Sequence, residues 1–163
     1  MLTTFLCVSS VLSLAMLGET KARKDRSTGT VVFVCEHGSG KSLIAREWFN
    51  RLAGQRGLAL RAASRGLTPD GSVPPAIAEA LRGDGFDVAG FEARALTAPD
   101  LAGAARIVAI GIDTSSLGAR ADSPIDRWDD VPPASVSYAA SRDALRARIE
   151  ALVASLESQG HGR

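Results

Sequence analysis

The sequence feature that most constrains the fold is a short apolar run that leads, through a glycine-bearing turn, into an amphipathic stretch. Residues 30–34 read TVVFV, a β-branched apolar run typical of a strand buried on both faces. The turn EHGSGK follows, and residues 42–54 (SLIAREWFNRLAG) place apolar side chains at helical spacing up to Gly54. A buried strand followed at once by a helix predicts the first unit of a parallel sheet.

The same alternation of strand and helix patterns continues along the chain. Further strands are predicted at residues 58–63 and 106–112, with a weaker one near 122–127. Further helices are predicted at 74–82, after a capping box at Thr97, and from Ser135 to Leu156. The last helix carries an apolar stripe: Tyr138, Leu145, Ile149, Leu152 and Leu156. Strands separated by helices predict an α/β three-layer sandwich with a four-stranded parallel sheet, whose ligand site lies beyond the carboxyl ends of the strands.

Residues 1–28 differ from the rest and are kept apart from the fold prediction. The apolar run MLTTFLCVSSVLSLAMLG is short for a membrane span and close in length to a signal-peptide core, but no positive charge precedes Phe5. Two interpretations stay open, a plain N-terminal extension and a signal or anchor segment. We expect one domain over residues 29–158, a tail at 159–163 and a cytoplasmic location. Export or membrane tethering through residues 1–20 is the alternative.

Composition and charge exclude several classes of function. The formal net charge is +1 and aromatic residues make up 5% of the chain, so no basic field or stacking platform favours a nucleic-acid partner. The two cysteines, Cys7 and Cys35, make no disulfide framework, and no CxxC or Cys/His cluster suggests zinc. The sequence therefore predicts no metal site and no cofactor.

The turn after the first strand is predicted to bind an anion. Successive amides in a tight turn form an anion nest, and the following helix adds unpaired N–H donors and the positive end of its dipole. Lys41 adds a full positive charge. These effects all stabilise a thiolate at Cys35, and they also bind a tetrahedral oxyanion such as phosphate or arsenate. One loop is thus predicted to hold both nucleophile and substrate, with Ser42 placed to donate a hydrogen bond to the sulfur.

This loop resembles the phosphate loop of low-molecular-weight protein tyrosine phosphatases and their arsenate reductase relatives. Cysteine, five residues, a cation and then serine lie between a strand and a helix, and the matching residues are Cys35, His37, Gly40 and Ser42. The resemblance continues through Ile44-Ala45, Phe49, Ser64-Arg65-Gly66, residues 85–110, Tyr138 and Arg142-Asp143. It covers nearly all of residues 30–157 in the right order. It implies a flavodoxin-like strand order with the phosphate loop after the first strand.

The resemblance also implies which residues form the site. Cys35 is the expected nucleophile and Lys41 the expected cation. The loop residues expected around the oxyanion are Glu36, His37, Gly38, Ser39, Gly40, Lys41 and Ser42. The family's general acid is an Asp followed by Pro shortly before the last helix, and here Asp129 and Asp130 are both candidates. Neither is directly followed by proline, and the spacing to Tyr138 does not choose between them.

Three loop residues depart from the family pattern. The family's arginine is Lys41, which offers a point charge in place of a planar fork. The usual asparagine is Gly38, and Glu36 places a negative charge beside the anion site. Because Arg65 follows the second strand, whose carboxyl end should neighbour the loop, we hypothesise that Arg65 supplies the missing guanidinium.

These features give one main function and three alternatives. The main prediction is hydrolysis of phosphomonoesters, including protein phosphotyrosine, through a thiophosphate intermediate on Cys35. The alternatives are arsenate reduction with an external thiol or glutaredoxin partner, a catalytically weakened oxyanion-binding domain, and a P-loop nucleotide-binding protein. The last rests on GSGKS, which resembles the end of a Walker A motif. That motif needs a glycine at the position of Cys35, so the phosphatase prediction is favoured.

Overall fold

The computed structural model describes residues 28–115, 117 and 125–161. The strands and helices follow in the order β1 (Thr28–Cys35), α1 (Lys41–Gln55), β2 (Ala59–Gly66), α2 (Pro75–Gly83), α3 (Ala98–Gly103), β3 (Ala104–Ala109), β4 (Ile125–Arg127) and α4 (Tyr138–His161). The N-terminal run on which the targeting interpretations depend lies outside the described residues. Within the described ranges, no helix is long and apolar enough to cross a membrane.

The four strands form one parallel sheet in the order β2-β1-β3-β4. The register of β1 on β2 runs from Thr28 opposite Ala59 to Cys35 opposite Gly66, so both strands end together. β3 pairs with the other side of β1, which makes β1 and β3 the two strands between which the winding direction reverses. The predicted parallel sheet and its flavodoxin-like order are therefore confirmed.

Side-chain alternation along β1 divides the core between the two faces of the sheet. Val31, Phe33 and Cys35 point into a large cluster that also holds buried residues of α1, α2 and α4. Val32 and Val34 point into a smaller cluster on the opposite face, together with the buried residues next to α3. Both sheet faces are thus covered by helices, which explains why β1 is apolar at every central position and gives the predicted three layers.

The predicted elements agree with those observed, apart from their ends. β3 stops at Ala109, before the predicted end at residue 112, because the chain turns at Gly111 with a φ of +59°. The last helix begins at Tyr138 and continues to His161, through most of the predicted tail. The capping box is confirmed, since Thr97 Oγ1 accepts from the Asp100 amide and the Asp100 carboxylate accepts from the Thr97 amide. The first residues of the predicted fourth strand, 122–124, fall outside the described residues.

Candidate active site

The loop after β1 lines a cleft of about 640 Å³ at the carboxyl ends of β1 and β3. This is the edge at which open parallel sheets bind ligands, at the point where the strand order reverses. From the loop, the cleft is lined by Cys35, Glu36, His37, Ser39, Gly40 and Lys41. The turn after β3 contributes Gly111, and the rest of the wall comes from residues around α2 and from the segment before α4. The structure therefore brings most of the predicted loop residues around one cavity.

The Cys35 sulfur lies at the floor of this cleft with two hydrogen-bonding neighbours. Only 4% of Cys35 is exposed. The Gly38 amide donates to Sγ over 3.4 Å, so this loop N–H points inward. Ser42 Oγ lies 3.0 Å from Sγ. A thiolate at this position would accept hydrogen bonds from both groups.

Ser64, at the end of β2, extends this contact into a chain of hydroxyl groups. Its Oγ lies 2.8 Å from Ser42 Oγ and 2.7 Å from the Gly38 carbonyl oxygen, and when Ser42 donates to the sulfur the single Ser64 proton goes to one of these two acceptors. Ser42 and Ser64 are fully or almost fully buried. Ser64 thereby fixes both groups that contact the sulfur. The sequence analysis matched Ser64 to the family pattern but assigned it no role. Its position next to the loop follows from the parallel pairing of β1 and β2.

Glycine at position 38 is required by the backbone and by its neighbour. The φ of Gly38 is +73°, in the left-handed region that side chains disfavour and that glycine or asparagine adopts most readily. A Cβ added at Gly38 would lie 2.8 Å from the backbone nitrogen of Gly66. A Cβ at Gly66 would in turn lie 2.8 Å from the His37 carbonyl carbon. In this chain a side chain at position 38 would therefore require the Gly66 backbone to shift.

The amino end of α1 faces the cleft without a side-chain cap. Gly40 is the N-cap residue, and no side chain accepts a hydrogen bond there. The first-turn amides from Lys41 onward have no helical carbonyl to bond, so they are available to an anion together with the helix dipole. Lys41 is the first residue of the helix. Its side chain reaches Gly111, and a Cβ added at Gly111 would lie 2.6 Å from Lys41 Nζ. Because Gly111 has no side chain, the ammonium group of Lys41 can lie beside the cleft.

Arg65 does not join the phosphate loop. Its side chain lies on the opposite face of the sheet from Ser64, because successive strand residues alternate. There its Nε and Nη2 bind the two carboxylate oxygens of Asp100 at 3.0 and 2.8 Å. Burial alone would raise the pKa of Asp100, but the hydrogen bonds from Arg65 and Thr97 outweigh it and hold that pKa below its usual range. The Arg65 guanidinium therefore binds α3 and does not contribute to the phosphate loop.

Asp129 and Asp130 lie outside the residues that line the cleft. Asp129 is exposed and pairs with Arg127 at 2.8 Å, while Asp130 pairs with Arg148 of α4 at 2.5 Å. The hydrogen bond from Arg148 lowers the pKa of Asp130, which favours its ionised form. The buried neighbours Trp128 and Val131 turn this segment so that both aspartates face outward. Neither carboxyl group is placed to act as the acid of the cleft in this structure.

The walls above the loop are largely apolar. They include Pro74, Ile77, Pro133 and Val136, and Val136 is 82% exposed. Trp128 packs in the core, with its ring 5.7 Å from that of Phe33. Tyr138 lines the cleft, and its hydroxyl donates to Asp84 over 2.6 Å. The described residues contain no group of three or more side chains arranged to hold a metal ion.

Comparison with known proteins assigns this architecture to a class. The family model of the low molecular weight phosphotyrosine protein phosphatases matches residues 30–119, which are 90 of the 163 residues. The chain therefore belongs to that family. The match includes the whole loop from Cys35 to Ser42, which favours a phosphatase loop over a Walker A motif. It ends before Asp129. No curated protein sequence matched the chain.

Solved structures with the same fold include proteins named as phosphatases and as arsenate reductases. YfkJ from Bacillus subtilis has a TM-score of 0.69 at 24% identity, covering 81% of this chain and 96% of that one. The low molecular weight protein tyrosine phosphatase from T. tengcongensis has a TM-score of 0.68 at 24% identity, covering 78% and 99%. The thioredoxin-dependent arsenate reductase of Corynebacterium glutamicum has a TM-score of 0.64 at 19% identity, covering 80% and 62%.

Proposed function

We propose that this protein hydrolyses phosphomonoesters through a thiophosphate intermediate on Cys35. The observation that carries the proposal is the contact geometry of the sulfur. Sγ lies at the floor of a cleft, in contact with Ser42 Oγ and an inward-pointing amide, and next to the uncapped amino end of α1. A thiolate there faces the donors that would bind the oxygens of its substrate, as nucleophilic catalysis on a tetrahedral oxyanion requires.

The proposed reaction has two steps. The Cys35 thiolate attacks phosphorus, a sulfur–phosphorus bond forms, and the bond from phosphorus to the alcohol oxygen breaks as that oxygen takes up a proton. Water then attacks phosphorus, gives up a proton and releases inorganic phosphate and the thiolate. In both steps the loop amides and Lys41 bind the equatorial oxygens, where charge is largest. In the second step the Ser42 hydroxyl donates to the departing sulfur.

The substrate is expected to carry its phosphate on an apolar or aryl group. The cleft walls offer proline and aliphatic side chains, and Tyr138 is the aromatic side chain among the described lining residues. Such walls can cover a phosphotyrosine ring by apolar contact without clamping it between two aromatic rings. A phosphoprotein is therefore the proposed natural partner, with an aryl phosphate as its simplest substitute.

Arsenate reduction is the second candidate because arsenate has the geometry of phosphate and fits the same loop. Cys35 is the free cysteine of the described residues, so a second chain-borne thiol would have to come from Cys7, outside the described ranges. Reduction of arsenate would then consume two electrons from an external dithiol or from glutathione with a glutaredoxin.

Two assays on the purified full chain distinguish the candidates. We expect saturable hydrolysis of 4-nitrophenyl phosphate, inhibited competitively by inorganic phosphate, and no arsenite release from arsenate with glutathione and glutaredoxin. Arsenite release without ester hydrolysis would support the reductase instead. Phosphate binding in calorimetry without either turnover would contradict the enzymatic proposal and support an oxyanion-binding domain.

The contact between Lys41 and Gly111 gives a separate prediction for oxyanion affinity. Lys41→Met removes a charged donor, and we expect it to weaken phosphate binding about 10- to 100-fold. Gly111→Ala introduces a methyl group in the place of the ammonium and at a positive φ, so it should weaken binding in the same direction, by about threefold or more. Calorimetric titration with phosphate measures both. The matched control is Gly57→Ala, which shares a positive φ of +68° but whose Cβ meets nothing within 4 Å; equal affinities for Gly111→Ala and Gly57→Ala would contradict the placement of Lys41.

A further inference from the structure

The proposed hydrolysis needs a group that protonates the leaving oxygen, and the outward-facing aspartates before α4 do not supply one. Asp129 and Asp130 are held by arginines outside the cleft. The titratable side chains that do line the cleft among the described residues are Cys35, Glu36, His37, Lys41, Asp70 and Tyr138. The proton donor has to be sought within this set.

Two members of the set are paired with each other. His37 Nδ1 lies 3.1 Å from Asp70 Oδ1. The two side chains are 57% and 52% exposed, so both reach the solvent of the open cleft. A carboxylate accepts only, so Nδ1 carries the proton of this contact, and the other ring nitrogen, Nε2, is left to exchange a proton with a substrate or water.

The backbone brings Asp70 to His37 by continuing the pairing of β1 and β2 beyond the ends of both strands. The Leu67 amide donates to the Cys35 carbonyl oxygen over 3.1 Å, and the Thr68 amide donates to that of Glu36 over 2.8 Å. The Asp70 amide donates to the His37 carbonyl oxygen over 3.4 Å. The segment after β2 therefore runs alongside the phosphate loop and places a carboxylate next to a histidine two residues from the nucleophile.

Other cleft groups are committed to different tasks. The Tyr138 hydroxyl donates to Asp84. Burial raises the pKa of Tyr138 most, and the hydrogen bond to Asp84 raises it further. Lys41 lies against Gly111 at the amino end of α1, where a positive charge is needed to bind the oxyanion. Glu36 is exposed and precedes His37 in the chain, so it is the alternative proton donor that the experiment has to distinguish from His37.

We infer that His37, oriented by Asp70, is the proton donor and acceptor of the hydrolysis proposed above. In the first step the imidazolium gives its Nε2 proton to the leaving oxygen as the bond to phosphorus breaks. In the second step neutral Nε2 takes a proton from the attacking water as the sulfur–phosphorus bond breaks, which restores the imidazolium. Asp70 acts as a positioning residue, since its carboxylate accepts the hydrogen bond from Nδ1 and thereby fixes the orientation of the ring. This inference rests on the proposed function.

A leaving-group series tests the assignment. Phenyl phosphate needs a proton on its departing oxygen, 2,4-dinitrophenyl phosphate does not, and 4-nitrophenyl phosphate lies between them. We expect His37→Asn to lower kcat/KM for phenyl phosphate about 100- to 1000-fold and for the dinitrophenyl ester less than about fivefold. Asp70→Asn should show the same dependence with a smaller loss.

Matched variants decide between the carboxyl groups. Asp129→Asn and Asp130→Asn should keep the leaving-group dependence of the wild-type protein. A leaving-group-dependent loss in either of them, or in Glu36→Gln, would assign the proton to that carboxyl group and overturn the inference. An equal loss on all three esters in His37→Asn would make His37 a merely structural residue of the loop. If the wild-type protein hydrolyses none of the esters, the proposed function itself fails, which is a different outcome from a wild-type activity that does not depend on His37.

Discussion

Cys35→Ser is expected to abolish ester hydrolysis, with a loss of about 10⁴-fold or more, while phosphate binding stays within about threefold of the wild-type value. A hydroxyl gives up its proton far less readily than a thiol, so the variant lacks an anionic nucleophile at neutral pH. The donors that bind the oxyanion belong to the loop backbone, to Lys41 and to the amino end of α1, and the substitution leaves all of them in place. Steady-state hydrolysis of 4-nitrophenyl phosphate and calorimetric titration with phosphate measure the two quantities.

The second cysteine provides the matched control for this variant. Cys7→Ser removes a thiol outside the described residues, and it should change neither the turnover nor the phosphate affinity of the protein. Turnover retained in Cys35→Ser would place the nucleophile elsewhere. Loss of phosphate binding in Cys35→Ser would mean that the contacts of Sγ with Ser42 and the Gly38 amide are needed to keep the loop in its binding conformation.

The architecture and the position of the loop were predictable from the sequence because they depend on short-range patterns. An apolar β-branched run, a glycine-bearing turn and a helix define a strand-to-helix unit within about 25 residues. In a parallel sheet the end of such a strand is where ligands bind, so Cys35 could be placed without coordinates. Ser42 follows from the same local geometry, since it lies within the first turn of α1.

The error over Arg65 has a simple physical cause. The strand was predicted at residues 58–63 with Arg65 beyond its end, but β2 runs to Gly66, so Arg65 lies within the strand and its side chain follows the alternation of strand residues. Ser64 faces the loop, so Arg65 faces the other side of the sheet, where Asp100 of α3 binds it. The adjacency of the two strands therefore correctly predicts that the end of β2 lies beside the loop, but it does not identify Ser64 as the residue that contacts the loop.

The pairing of His37 with Asp70 was not predictable from local patterns. The two residues are joined by the register of β1 on β2, which aligns Cys35 with Gly66 and lets the chain continue in parallel beyond both strands. A signal was present, because the predicted strands at 30–34 and 58–63 are consecutive in the chain and are followed by CEH and by SRGLTPD. The missing information was the register. The outward direction of Asp129 and Asp130 likewise depends on arginines, including Arg148 of α4, that pattern analysis does not bring together.

Gly38→Ala is expected to be the most destabilising substitution of the loop, by about 2–4 kcal/mol in the free energy of unfolding. Two costs combine in this estimate. An alanine at a φ of +73° is strained by about 1–2 kcal/mol. Its Cβ would also meet the Gly66 nitrogen at 2.8 Å, a backbone atom that cannot rotate away as a flexible side chain can. Urea denaturation of the two proteins measures the difference.

Gly38→Asn and Gly40→Ala separate these two costs. Asparagine tolerates a positive φ, so Gly38→Asn relieves part of the backbone strain but keeps the collision with Gly66; it should be less destabilising than Gly38→Ala and clearly less stable than the wild type. A Cβ at Gly40 meets nothing within 4 Å, but the backbone there (φ −112°, ψ −106°) lies outside the regions that side chains prefer, so Gly40→Ala should show a cost of backbone strain alone, about 1–2 kcal/mol. Wild-type stability in Gly38→Asn would mean that the loop and the end of β2 do not touch at this point. In that case the position of Asp70 beside His37 would also lose support, because the contact between Gly38 and Gly66 aligns the segments that carry these two residues.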